Sequence, residues 1–212
     1  MATQLRSPTS TSATANVTIT GAATVHEALD DAIASPNDAD YVAQASVAGS
    51  FRCQVPAFAF TSASVQKVTL RFRLRSNVAG GVSIFGRLRK NSVNYDTSAV
   101  VISGPVNTWQ LVEIDYLVNP ATGVAWVDAA DINLNMTGGI NGYGANGSGI
   151  NTGETLDISA FEVMATYTAP PSSPPGNISN LDGTAVSSTQ VDLTWTAASG
   201  ATSHRIERAT IG

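Results

Sequence analysis

A proline-rich stretch at residues 169–176, APPSSPPG, constrains this chain more than any other feature of its sequence. The stretch holds four of the nine prolines, and a proline has no backbone N–H to donate to a sheet. Segments of this composition are extended and semi-rigid, and they advance by about 3.1 Å per residue. We therefore predict a linker between two folded units, about 25 Å long at full extension.

The composition and the first residues exclude several classes of protein. With one cysteine the chain forms no intrachain disulfide, and Cys53 is predicted to be a small buried hydrophobic residue. Residues 1–15 lack the charged and apolar regions of a secretory signal, and no apolar stretch approaches the ~20 residues that span a bilayer. The net charge of −5 disfavours non-specific nucleic-acid binding. We expect a flexible N-terminal arm at 1–15, synthesis in the cytoplasm, no membrane and no nucleic acid.

The pattern of apolar residues predicts an all-β fold. Residues 16–20 alternate between polar and apolar side chains, and residues 51–118 repeat strand patterns about every ten residues, as in a β-sandwich. Between them, residues 24–33 carry a capping box and apolar residues at helical spacing, which predicts a short helix or helical turn. The closing strand changes phase near Ser159 or Ala160, which predicts a β-bulge.

Seven of the eleven basic residues lie between Lys67 and Lys90. They alternate with apolar residues, so we expect one basic outer face shared by two neighbouring strands. Like charges on facing strands are destabilising unless something neutralises them. Either Glu113 and Asp115 of an adjacent strand pair with this face, or the face docks an acidic partner. The candidate docking residues are Arg71, Arg73, Arg75, Arg87 and Arg89.

Residues 137–153 contain seven glycines and form the longest stretch without a strand pattern. Loops longer than about 12 to 15 residues are usually functional or disordered. The segment is therefore predicted to be a flexible hairpin tip, a contact with a neighbouring subunit, or a glycan-binding loop. The candidate residues for the two contact roles are Trp126, Asn141, Tyr143 and Asn146.

The chain offers weak signals for a metal and none for catalysis. Asp38 and Asp40 follow Asn37, and this group of oxygen atoms predicts either an Asx-turn or a calcium site. No other cofactor is indicated. With two distant histidines, one cysteine and no nucleophile, zinc or phosphate-binding motif, we expect no enzymatic activity.

The stretch NPATGVAWVDAADIN, at 119–133, resembles a segment of many tailed-phage structural proteins and prophage-encoded surface proteins. DADYV at 38–42, VTLRFRLRSN at 68–77 and ISAFEVMATY at 158–167 fall at positions similar to those of the same group. The resemblance implies a jelly-roll-like antiparallel β-sandwich over residues 16–168, and it supplies no catalytic residues.

Val191, Leu193 and Trp195 alternate with polar residues after the linker. With this pattern, residues 177–212 resemble the N-terminal part of a fibronectin type III domain, in which such a strand carries a buried tryptophan. Such a sandwich has about seven strands, whereas the sequence up to Gly212 provides about three. Either the natural chain continues past Gly212 or another chain completes the domain.

The resemblances imply a non-catalytic virion structural protein made in the host cytoplasm. Its sandwich would attach to other capsid or tail proteins, as a decoration, fibre or spike component, and its type III part would project outward. A homo-oligomer is expected, and a host-surface glycan is a further candidate partner. The alternative is a carbohydrate-binding module of a bacterial surface protein or a polysaccharide-degrading enzyme.

Overall fold

A computed structural model describes residues 1–45, 49–60, 64–133, 140, 142–168, 178–198 and 203. The chain divides into two compact units, Met1–Pro170 and Pro171–Gly212. The predicted linker, residues 169–176, lies outside the described residues.

Strands dominate the described part of the chain, because short runs of alternating apolar and polar residues recur along it. In chain order the elements are β1 (Ala2–Arg6), β2 (Ser10–Ala15), β3 (Val17–Thr20), β4 (Tyr41–Ala45), β5 (Ser50–Gln54), β6 (Ser64–Ser76), β7 (Ser83–Lys90), β8 (Val93–Asp96), β9 (Val100–Val101), β10 (Gln110–Tyr116), α1 (Ala129–Ile132), β11 (Gly142–Ser148), β12 (Thr155–Thr168), β13 (Ser179–Ser187) and β14 (Gln190–Thr196).

Two antiparallel sheets build the first unit. The first sheet has the order β10-β6-β12-β4-β3, with β1 also paired to β12. The second sheet has the order β2-β5-β11-β7-β8, with β9 also paired to β7. From β4 to β7 each strand lies in the other sheet from the one before it, as do β10, β11 and β12. The predicted all-β fold, a jelly-roll-like antiparallel sandwich with one short helix, is confirmed.

The core lies between the inner faces of the two sheets. The ring of Phe161 on β12 stacks on Phe72 of β6 at 5.0 Å and meets Phe51 of β5 edge-on at 5.8 Å. Each of these side chains is almost fully buried, and such burial contributes about 1.5 to 3 kcal/mol per residue. Cys53 is buried beside them, as predicted, and burial raises the pKa of its thiol to about 12.

Two smaller predictions about the sandwich are confirmed. The register of β12 against β6 shifts between Ile158 and Ala160, which is the predicted bulge. Residues 25–29 form a turn, in which the Ala28 N–H donates to the Thr24 carbonyl at 3.2 Å. The Leu29 carbonyl at its end accepts from the Phe161 N–H at 3.1 Å, which fixes the turn on the first sheet.

The expected flexible arm at residues 1–15 is wrong. Most of this segment forms β1, which pairs with β12 from Ala2 to Arg6, and β2, which pairs with β5 from Ser10 to Ala15. The Thr- and Ser-rich sequence lacks apolar contrast, so its strands depend on backbone pairing to neighbours that are distant in the chain.

The expected long glycine-rich loop is also wrong for the residues that the structure describes. Residues 142–148 form β11, which lies in the middle of the second sheet between β5 and β7. A Cβ atom at Gly144 would lie 2.0 Å from the Phe51 carbonyl oxygen, so this position requires glycine. Glycine therefore marks a close approach of two backbones here and not a turn.

The second unit contains an antiparallel pair, β13 with β14. Val191 and Leu193 lie on β14 at 59% and 40% exposure, while Trp195 is half-buried. The predicted alternating strand is confirmed. The following segment, residues 199–208, lies outside the described residues except for Ser203, so the type III assignment stays a prediction.

Candidate functional site

Strand β6 places its basic residues on the outer face of the first sheet. Val68, Leu70, Phe72 and Leu74 are fully buried, so the residues between them point to the opposite side. The basic residues on this face are Lys67, Arg71, Arg73 and Arg75. We call this surface the β6 face.

Carboxylates from both neighbouring strands neutralise the middle of the β6 face. The Arg71 guanidinium joins Glu113 of β10, with Nε 2.8 Å from Oε1, to Glu162 of β12, with Nη1 2.6 Å from Oε2. Lys67 pairs with Asp115 of β10 at 2.8 Å. The predicted internal pairing with Glu113 and Asp115 is confirmed.

The other two arginines of the β6 face are paired as well. Arg73 donates to both carboxylate oxygens of Asp38, at 2.8 and 2.7 Å, and the Ser159 hydroxyl donates to the same group at 2.8 Å. These hydrogen bonds, led by that of Arg73, lower the pKa of Asp38. Arg75 pairs with Asp157 at 2.9 Å. The sequence alone did not indicate Asp38, Asp157 and Glu162 as partners of these arginines.

This arrangement accounts for Asp38, one of the two calcium candidates. Asn37 accepts a hydrogen bond from the Ala39 N–H at 3.2 Å, which is the Asx-turn interpretation of the segment. Both oxygens of Asp38 accept hydrogen bonds from Arg73, so Asp38 serves as the partner of an arginine. Among the described residues, no three His, Cys, Asp or Glu side chains are grouped to hold a metal ion.

The expectation that Arg87 and Arg89 share the face of the β6 arginines is wrong. They lie on β7, which belongs to the second sheet, so the two sets are on opposite sides of the sandwich. Arg87 forms a bidentate pair with Asp96 of β8, with Nε 2.6 Å from Oδ1. Arg89 donates to the neutral Asn94 side chain at 2.9 Å. An alternating pattern fixes the face of a strand but not the sheet to which it belongs.

Both aromatic residues of the predicted loop site are buried. Trp126 is 3% exposed, and its indole Nε1 donates to the Tyr116 carbonyl at 2.9 Å. Tyr143 is fully buried on β11 and donates to the Ile132 carbonyl, and burial raises the pKa of its phenol. Asn146 is half-buried on β11, and Asn141 lies outside the described residues.

A different aromatic pair lies at one end of the β6 face. The rings of Tyr41 on β4 and Trp109 before β10 meet edge-on, with centroids 6.2 Å apart. The Arg75 guanidinium lies 4.4 Å from the Trp109 centroid and 5.3 Å from that of Tyr41. The Arg73 guanidinium is 5.8 Å from Trp109. Both aromatic residues are partly exposed. The sequence did not indicate this cluster, because Tyr41 and Trp109 belong to segments that β12 and β6 separate in the sheet.

No helix in the described part of the chain has the length and apolarity needed to cross a bilayer. No family model matches the sequence, and no curated protein matches it. One similar solved structure is the C-terminal CBM6 of LamC, a marine laminarinase from Zobellia galactanivorans. The match has a TM-score of 0.42 and 13% sequence identity, and it covers 78% of this chain and all of that chain.

Proposed function

We propose that this chain is a non-catalytic structural protein of a phage particle, attached to other virion proteins through its β-sandwich. The non-catalytic part of the proposal rests on one observation, which is that the charged side chains of the β6 face pair with one another. Four basic residues and five carboxylates there bind one another, so none of these nine side chains is set apart as an acid or a base. The virion part of the proposal rests on the sequence resemblance of residues 119–133 to tailed-phage structural proteins.

The location of the chain tests this function directly. Particles released by cells that express the chain would be purified on a density gradient and analysed by mass spectrometry and immunogold electron microscopy. We expect the chain to co-purify with particles and antibodies to label one type of site on them. Recovery of the chain only from the soluble lysate would contradict the proposal.

Glycan binding is the second candidate, favoured by the Tyr41–Trp109 pair. Partly exposed aromatic rings offer an apolar face to a sugar, and the neighbouring charged groups offer hydrogen-bonding partners. The two nearest arginines are matched by Asp38 and Asp157, so the cluster is close to neutral. This balance fits an uncharged glycan better than an acidic one.

A glycan array distinguishes this candidate. The wild-type chain would bind a neutral glycan, and the substitution Trp109→Ala would abolish that signal. Val127→Ala is the matched control, because Val127 is an exposed apolar residue at 67% exposure that does not belong to the cluster. Equal signals for wild type and Trp109→Ala, or no signal for either, would remove this candidate.

A further inference from the structure

The outer faces of the two sheets balance their charges differently. On the β6 face, each arginine has a carboxylate within 2.9 Å. On the outer face of the second sheet, Arg52 of β5 joins Arg87 and Arg89 of β7, and Asp96 is the one carboxylate paired with them among the described residues. Three arginines therefore share a single counter-charge. We call this surface the β7 face.

The strand register explains why the β7 face has fewer carboxylates than the β6 face. Gly144 of β11 lies between Arg52 and Arg87, and Gly142 lies beside Arg89. The equivalent central strand of the first sheet, β12, places Asp157 and Glu162 beside the arginines of β6. The β11 positions thus carry neither charge nor side chain.

Arg52 is the least compensated member of the β7 face. Its guanidinium forms no ion pair with any described residue, and the strand register places it about 10 Å from Arg87 across β11. Burial, followed by the charges of Arg89 and Arg87, lowers the pKa of Arg52. Arg89 has a neutral amide where Arg87 has Asp96. A negatively charged partner would therefore relieve repulsion that the fold leaves in place.

We infer that Arg52, Arg87 and Arg89 bind an extended acidic protein segment in which carboxylates occupy every second residue. Side chains two residues apart on a strand are separated by about 6.8 Å, so such a segment matches the repeat of Arg87 and Arg89. The chain already contains this form of recognition, because Glu113 and Asp115, two residues apart on β10, pair with Arg71 and Lys67 of β6. Charge complementarity selects the partner. The acidic segment would belong to the virion protein to which the sandwich attaches, so this inference rests on the proposed function.

Peptide binding to the purified full chain tests the inference without a particle. A fluorescent peptide of four Asp-Ser repeats would be compared with a block peptide of four Ser followed by four Asp, and with four Asn-Ser repeats. We expect the alternating acidic peptide to bind best in anisotropy titrations. Its affinity should fall as salt is raised to about 0.15 M, since the Debye length then drops to about 8 Å.

Two variants locate the site. Arg52→Gln and Arg89→Gln should each weaken binding by about 1.5- to fivefold, the effect of losing one exposed charge pair. Arg52 makes no side-chain hydrogen bond with a described residue, so its substitution should leave the fold intact, which circular dichroism would check. Arg6→Gln removes the same charge from β1 of the first sheet and should leave binding unchanged.

The opposite results overturn the inference. They are no peptide binding, equal binding of the alternating and block peptides, equal affinity of Arg52→Gln and wild type, or binding of dextran sulfate with none of the peptides. Failure of the peptide experiment would contradict binding of an acidic segment but not the proposed location in the particle. Particle purification tests that location separately.

Discussion

Replacing Arg71 with glutamine should destabilise the sandwich mainly through Glu162. The Glu162 side chain is 6% exposed and lies 2.6 Å from Arg71, whereas Glu113, on the other side of the guanidinium, is 46% exposed. Removing the partner of a buried charge costs about 3 to 5 kcal/mol, and an exposed pair contributes about 0 to 1 kcal/mol. Glu162 also accepts from the Ile33 N–H at 3.1 Å, which offsets part of the loss. We expect Arg71→Gln to lower the free energy of unfolding by about 2 to 4 kcal/mol.

A double-mutant cycle separates the two carboxylates. Urea unfolding followed by tryptophan fluorescence would be measured for Arg71→Gln, Glu162→Gln and the double variant, and again with Glu113→Gln as the matched control. We expect a coupling of about 2 kcal/mol for Arg71 with Glu162, and below about 1 kcal/mol for Arg71 with Glu113. A larger coupling to Glu113, or none to Glu162, would refute the argument from burial.

The remaining predictions concern stability and reactivity. Gly144→Ala should destabilise by about 3 kcal/mol or more in thermal unfolding, since its Cβ would lie 2.0 Å from a backbone oxygen. Gly142→Ala, with 3.3 Å to its nearest neighbour, should cost less than about 1 kcal/mol; equal losses would contradict the contact argument. Cys53, with a pKa raised to about 12, should react with a thiol reagent at pH 8 only as fast as the chain unfolds, and rapid native-state labelling would contradict its burial. The pKa of Asp38 is lowered from 3.8, so its stabilisation is present above that value and is lost as the pH falls below it. Asp38→Asn should therefore flatten the acid side of the stability profile, and an unchanged slope would contradict the ion pair.

Local patterns in the sequence predicted individual strands such as β6 well, but they did not predict which strands lie next to each other. The alternation along β6 specified both its buried side and its basic side, because side chains on a strand point in turn to opposite faces. The pairing of Arg71 with Glu162 spans 91 residues, and no local pattern encodes such a contact. For the same reason, the local pattern did not reveal that Arg87 and Arg89 belong to the second sheet.

The high glycine content of residues 137–153 led to a wrong prediction of where the site lies. A run with glycines at 142, 144 and 147 is typical of a loop, yet it forms a central strand whose Tyr143 fills the core. The candidate glycan residues were sought in that loop, while the partly exposed aromatic pair joins Tyr41 to Trp109 across the first sheet. A contact that crosses several strands depends on the strand order, which the sequence pattern alone did not provide.

Arginine footprinting tests the attachment of the sandwich most directly. The free chain and purified particles would be treated with phenylglyoxal, and the modified arginines identified by mass spectrometry. We expect Arg52 and Arg89 to be modified in the free chain and protected in the particle, while the paired Arg71 reacts slowly in both. Equal modification of Arg52 and Arg89 in the two samples, or absence of the chain from the particles, would contradict it.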